Sequence, residues 1–270
     1  MTISRHASVL AVVTACTCAA AWGAEQPLIQ SVPIKAVHLS DAFWAPRLET
    51  IRTSTLPALL ERLQSAGRLN NFVNAAAAMK GQAGQAAVTY PYEDADVYIV
   101  VEAASNSLAM HADPKLQGQV EEIIAKIAAA QEPDGYLYTA RTVNPASPPA
   151  FAGGQRWVNE KADSYELSNL GYLYSAAAAH FQATGSRSLL EVAMKSADLL
   201  DKTFGEGKQA IYPGHEGVEM GLVKLSQATG EKRYLALAKY FVEQRGPAGA
   251  PATAAAAAGR GGGGGGGRGR

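Results

Sequence analysis

Three short stretches gather the side chains able to move protons or hold a polar ligand. Glu93, Asp94 and Asp96 fall within four residues, Ser164-Tyr165-Glu166 leads into an apolar run, and His215 stands four residues before Glu219. Two carboxylates facing each other across a cleft act as general acid and base in sugar hydrolysis, so Asp96, Glu166 and Glu219 are candidate partners in an inverting glycosidase. The acidic trio also suits the positive end of a helix, where negative charge is favoured, and both readings of Asp94 and Asp96 stand. His215 and Glu219, spaced to share a helical face, fit either a polar wall for sugar hydroxyls or a helix-start cluster that meets solvent. As a zinc motif His215-Glu216-Gly217-Val218-Glu219 falls short, because a glutamate replaces the second histidine of HExxH and no third ligand is evident.

Aromatic side chains supply the other sugar-binding chemistry, stacking on the apolar face of a ring. Trp157, Tyr136 and Tyr138 lie in or beside the Gly- and Pro-containing stretch from Glu132 to Glu160, as a stacking platform or as local packing. Within it Pro133-Asp134-Gly135 predicts a turn and Tyr136-Leu137-Tyr138-Thr139 a short strand. Phe43 and Trp44, at helical spacing with Leu48, are predicted to be core.

These residues must be positioned by helices. Gln182-Ala183-Thr184-Gly185 recurs 45 residues later as Gln227-Ala228-Thr229-Gly230, with Leu190 and Leu235 in the same frame. A fainter copy begins at His111-Ala112-Asp113-Pro114, where Leu116 aligns with Leu190 at an offset of 74 that exceeds the repeat by about the length of the irregular stretch, which therefore reads as an insertion. Each unit has the periodicity of a helical hairpin. Val97, Val100, Val101, Ala104 and Leu108 share one face, then Leu116, Val120, Ile123, Ile124 and Ile127 after Pro114. Leu167, Leu170, Tyr174 and Phe181 are followed by Leu189, Val192, Ala193 and Leu200, and Val218, Leu222 and Leu225 by Tyr234, Leu237, Ala238 and Phe241. An earlier pair spans 41–66 and 69–79, interrupted at Pro46 and Pro57. Gly185 and Gly230 are placed to end helices in the left-handed conformation. Helical pairs repeating in this way build a solenoid or a closed toroid, and a folded insertion at one mouth favours the toroid.

The ends of the chain differ from the middle. Residues 1–21 combine Arg5, a short apolar run and small residues in the pattern of a secretory signal; Val13-Thr14-Ala15-Cys16 also fits a lipoprotein signal that would leave Cys16 as a lipid anchor. Either reading predicts export, to periplasm or exterior. Residues 246–270 hold only Ala, Gly, Pro, Thr and Arg and are expected to be disordered, since they offer too little apolar surface to offset ordering. Between them, residues 28–245 form the predicted helical domain. Four of the 24 Lys and Arg lie in the two end segments, so the body carries 20 basic against 24 acidic residues, a balance that argues against nucleic acid as partner. Both cysteines, Cys16 and Cys18, sit in the signal, and no apolar run is long enough to span a membrane.

Several motifs in order resemble glycoside hydrolase family 127, whose members include β-L-arabinofuranosidases. They are Tyr92-Glu93-Asp94-Ala95-Asp96-Val97-Tyr98, Gln131-Glu132-Pro133-Asp134-Gly135-Tyr136-Leu137, Gly214-His215-Glu216-Gly217-Val218-Glu219, and Gly230-Glu231-Lys232-Arg233-Tyr234-Leu235 with Gln244-Arg245-Gly246. The resemblance runs from about Val37 to Gly246. It implies an all-α fold, an (α/α)6 toroid of hairpins with a sugar in its mouth, here incomplete with four hairpins and a short β-containing insertion. It implies a carbohydrate partner, an arabinofuranose-containing glycan bound by His215, Glu219, Tyr165, Glu166, Asp96 and Asp94. It also implies a cysteine nucleophile held by zinc and a glutamate acid/base, all in a part of the toroid beyond Arg245. No cysteine follows Cys18, so no catalytic residue and no cofactor are expected in this chain, which is expected to be truncated and inactive. Tyr165, Tyr172 and Ile99 stand where the family has two histidines and a lysine.

Overall fold

A computed structural model describes residues 32–82 and 88–245. The expected signal segment and the Ala/Gly/Arg tail lie outside the described residues, which from Ile34 onward belong to the second of two contact units, Ile34–Arg270. A 3₁₀ turn at Ile34–Ala36 precedes α1 (Trp44–Thr50), which runs through a π-helical segment (Ile51–Thr55) into α2 (Leu56–Ser65). Then come α3 (Arg68–Met79), α4 (Glu93–Met110), α5 (Pro114–Ala129), α6 (Thr139–Thr142), α7 (Glu166–Thr184), α8 (Ser188–Thr203), α9 (Val218–Thr229) and α10 (Lys232–Gln244).

The helices stack in two rows. Helices α4, α7 and α9 pack side by side in one, α5, α8 and α10 in the other, and α2 and α3 adjoin α4 and α5. Sequence explains which helix goes where: α7 buries residues all round its circumference, as an inner helix must, whereas α5, α8 and α10 each bury a single stripe. Every apolar position assigned above to the hairpins from Val97 onward is buried, except Phe181, which is partly so. The 45-residue repeat is a repeated helix end. Gly185 and Gly230 are left-handed, at φ 77° and 79°, and each donates its amide to the carbonyl four residues back. The preceding Thr184 and Thr229 hydroxyls bond back to His180 and Leu225 carbonyls, each at 2.7 Å. Pro114 opens α5 behind an Asp113 cap that accepts from the Lys115 and Leu116 amides.

Two expectations are corrected. Tyr136–Thr139 forms no strand, and no strand element occurs among the described residues, where the sole β pairing is an isolated bridge between Phe204 and Gln209. Tyr136, Leu137 and Tyr138 are all buried, and Thr139 already begins α6, so these side chains anchor the segment inward without a paired ladder. Phe43 and Trp44 are more than half exposed and pack edge to face on each other, because α1 contacts chiefly the π segment that follows it and buries nothing. The predicted turn does form: Gly135 is at φ 103° and its amide donates to the Glu132 carbonyl.

Candidate functional site

Helices α4 and α7 begin side by side, and the loop before α9 closes against them. The cleft between them has a cavity volume of about 240 Å³. Its walls are Tyr92, Ala95, Asp96 and Ile99 from α4 and its cap, Tyr165, Ser168, Asn169 and Tyr172 from α7 and its cap, and His215 from the loop. The approach of the loop depends on glycine. A Cβ on Gly171 would fall 2.2 Å from the Gly217 carbonyl carbon, and one on Gly221 would fall 2.3 Å from the Gly171 oxygen. Backbone-to-backbone contact at this crossing sets His215 beside Tyr165, ring centroids 5.9 Å apart.

Three of the six side chains singled out as sugar contacts therefore share one pocket: Asp96, Tyr165 and His215. Tyr165 caps α7 at φ 54°, ψ 24°, a left-handed conformation that costs a bulky residue about 1–2 kcal/mol. Asn169, buried, holds it there: its amide group donates to the Tyr165 and Pro91 carbonyls, each at 2.8 Å, while its oxygen accepts from the Ala95 amide. Asn169 thus staples the start of α7 to the start of α4. Sequence reasoning overlooked it, although an Asn between Leu167 and Leu170 on an otherwise apolar helix is itself a signal of an internal polar bond.

The other three stand behind the wall. Glu166 is buried and accepts from the Tyr136 hydroxyl at 2.5 Å and the Trp157 amide at 2.8 Å; burial pushes its carboxyl up despite these bonds. Asp94, also buried, accepts from the Thr139 amide and hydroxyl, tying α6 to α4, and burial raises its pKa to about 6. Glu219 accepts from the Arg245 guanidinium at 2.8 Å and joins the start of α9 to the end of α10. Helix α9 starts only at Val218, so His215 precedes it and the two do not share a helical face. Tyr136, Tyr138 and Trp157 form no platform either: all three are buried, Tyr136 against Trp157 edge to face and Tyr138 bonded to the Ser164 carbonyl.

Asp96 is the one carboxylate on the wall, and its charge is shared with Arg68, whose Nε lies 2.8 Å away. Arg68 also meets Glu93 at 2.9 Å. Burial alone would raise Glu93, but bonds from Thr89 and Asn71 together with Arg68 outweigh it and hold the carboxyl below its ordinary range. Nothing in the sequence spacing links Arg68 to Asp96, 28 residues on. An inverting mechanism needs two carboxylates across the sugar, and the pocket presents one. The zinc-held thiolate implied by the family resemblance does not fit these residues. The pocket has one imidazole and a carboxylate already paired with arginine, and among the described residues no three His, Cys, Asp or Glu side chains converge as a metal site.

Glu160, which sequence reasoning did not single out, lies beneath the same corner. It is buried, accepts from the Leu167 amide at 3.0 Å, and leaves its second oxygen without a partner. Burial raises its pKa to about 8, so it is mostly protonated at neutral pH.

Comparison with known proteins shows what the chain is similar to. Residues 36–259 match the family model described as beta-L-arabinofuranosidase, GH127 catalytic domain. A non-reducing end beta-L-arabinofuranosidase of Bifidobacterium longum is 41% identical over 160 residues, 57% of this chain and 23% of that protein. A solved GH127 beta-arabinofuranosidase superposes with a TM-score of 0.75 at 42% identity, covering 79% of this chain and 34% of its own. A GH127 beta-L-arabinofuranosidase from Geobacillus stearothermophilus T6 gives 0.70 at 33% identity, covering 79% and 33%. The chain thus spans about a quarter of the curated relative and a third of the solved ones. The helical rows described above agree with the all-α toroid of these neighbours.

Proposed function

Because the chain belongs to glycoside hydrolase family 127, we propose that the pocket between α4, α7 and the loop before α9 holds a terminal β-L-arabinofuranose of a plant-derived glycan. The observation that carries this reading is the convergence of Asp96, Tyr165 and His215, from three separate motifs, on one small cleft. His215 is more than half exposed and offers two ring nitrogens, and Tyr92, Tyr165 and Tyr172 add an aromatic lining on which a sugar ring can pack. Ser168 and Asn169 shape the wall, and Asn169 has its bonds already made. Tyr165, Tyr172 and Ile99, the departures from the family pattern, all line this pocket, so it meets a sugar with rings and an alkyl chain instead of imidazoles and an ammonium.

In this reading residues 32–245 bind sugar and do not cleave it. The chemistry implied by the family needs a thiolate, and residues 19–270 contain no cysteine. The chain is exported through its amino-terminal segment, with ordinary cleavage after Ala21 or lipidation at Cys16; among the described residues no helix is long and apolar enough to cross a membrane. Titration with methyl β-L-arabinofuranoside tests the pocket: the parent binds and His215→Ala weakens binding about tenfold, in line with loss of a well-placed hydrogen bond. Zinc-dependent release of arabinose by the purified 270-residue protein would overturn the non-catalytic part.

A further inference from the structure

The pocket is small. At about 240 Å³ it lies below the usual range for ligand sites, roughly 300–1,000 Å³, and suits a single sugar ring. A glycan whose end ring fills it must continue over the rim. On one side that rim does not stop at the wall. Tyr92 lies edge to face against Tyr165, centroids 6.2 Å apart, and Tyr90 stacks on Tyr92 at 6.0 Å with only 19° between the ring planes. With His215 beyond Tyr165, four rings form a continuous strip from inside the pocket to the surface. Tyr90 and Tyr92 are each about half exposed, at 52% and 49%.

The backbone that carries the Tyr90 ring is held by Glu93. Glu93 accepts from the Tyr90 amide at 3.0 Å and from both the amide and hydroxyl of Thr89, and is itself fixed by Asn71 and Arg68. Only main-chain and neighbouring groups make these bonds, so the Tyr90 ring takes no part in them. A half-exposed aromatic pair, anchored from below and continuous with a one-ring pocket, is what stacking on a second sugar ring requires.

We propose that Tyr90 and Tyr92 form a second subsite that stacks on the sugar ring next to the one in the pocket. The proposal rests on the reading of that pocket as an arabinofuranose site. Its test compares methyl β-L-arabinofuranoside with a disaccharide bearing β-L-arabinofuranose at its non-reducing end, titrated into the full 270-residue chain. The parent binds the disaccharide more tightly. Tyr90→Ala weakens the disaccharide about three- to tenfold, the range of one aromatic contact, and leaves the methyl glycoside unchanged. Tyr90→Trp retains the advantage, and Tyr90→Leu, which keeps bulk without a flat face, loses it as alanine does.

Equal affinity of the parent for both ligands overturns the subsite while leaving the pocket standing. So does an equal loss of both ligands in Tyr90→Ala, or no loss of either. A parent that binds neither ligand overturns the pocket reading, and the subsite with it.

Discussion

The two sides of the α7 start contrast sharply. On the inner side, Glu166, Asp94 and Glu160 are buried carboxyls that accept bonds from Tyr136, Trp157, Thr139 and Leu167 and tie the irregular segment to α4 and α7. On the pocket side, Tyr165, Tyr172 and His215 present side chains to an open cleft. Tyr165 and Glu166 are adjacent in sequence, yet one lines the cleft and the other holds its wall in place. Residue type alone does not assign a carboxylate to chemistry; the partners it has already satisfied do.

Breaking the inner side should therefore destabilise the domain, and breaking the pocket side should do so much less. The largest effect is expected for Glu166→Ala, which strands a buried tyrosine hydroxyl and a buried amide; a loss of about 3 kcal/mol, read by chemical denaturation, is the expected outcome. Asp94→Ala, which orphans the Thr139 amide and hydroxyl, should cost about 2 kcal/mol by the same measure. His215→Ala and Tyr172→Ala should leave stability within about 0.5–1 kcal/mol while lowering arabinofuranoside affinity. Loss of stability in the pocket variants equal to that in Glu166→Ala would erase the contrast.

A pH series sharpens it further. Burial raises Glu160 from its ordinary 4.5 to about 8 and Asp94 from 3.8 to about 6. Each binds its proton more tightly folded than unfolded, so the stability it contributes is full below the unfolded value and is lost as pH rises through the folded one. Thermal stability should fall between about pH 4 and pH 8 from these two groups. Glu160→Gln, which cannot ionise, should reduce the fall above about pH 4.5, matching the parent near pH 4 and gaining on it most at pH 8.5. An unchanged slope in the variant would remove Glu160 as its source.

Much of this architecture was legible because it repeats with the period of a helix. The hairpin stripes, the Asp113-Pro114 start and the Gly185 and Gly230 ends follow from side-chain spacing and from what proline and glycine do to a backbone. The division of the site was not legible. Glu166 and Tyr165 part ways because Tyr165 takes a left-handed conformation, which no pattern in Ser164-Tyr165-Glu166 announces. Arg68 reaches Asp96 across a loop, and Arg245 reaches Glu219 from the far end of α10, pairings that only the packed helices create. Tyr136, Leu137 and Tyr138 read as a strand because three successive apolar side chains anchored inward look, in sequence, like a short buried strand.

The central claim is that the sugar sits where the starts of α4 and α7 meet His215. Backbone amide shifts of the 270-residue chain, followed by NMR as methyl β-L-arabinofuranoside is added, test it most directly. Saturable shifts are expected at Tyr92–Ile99, Tyr165–Tyr172 and His215, with the midpoint moved to about tenfold higher ligand in His215→Ala. Shifts gathered instead in the charged groove of Arg52, Glu61, Lys115 and Lys126 between α2 and α5, or no shifts at all, would contradict it.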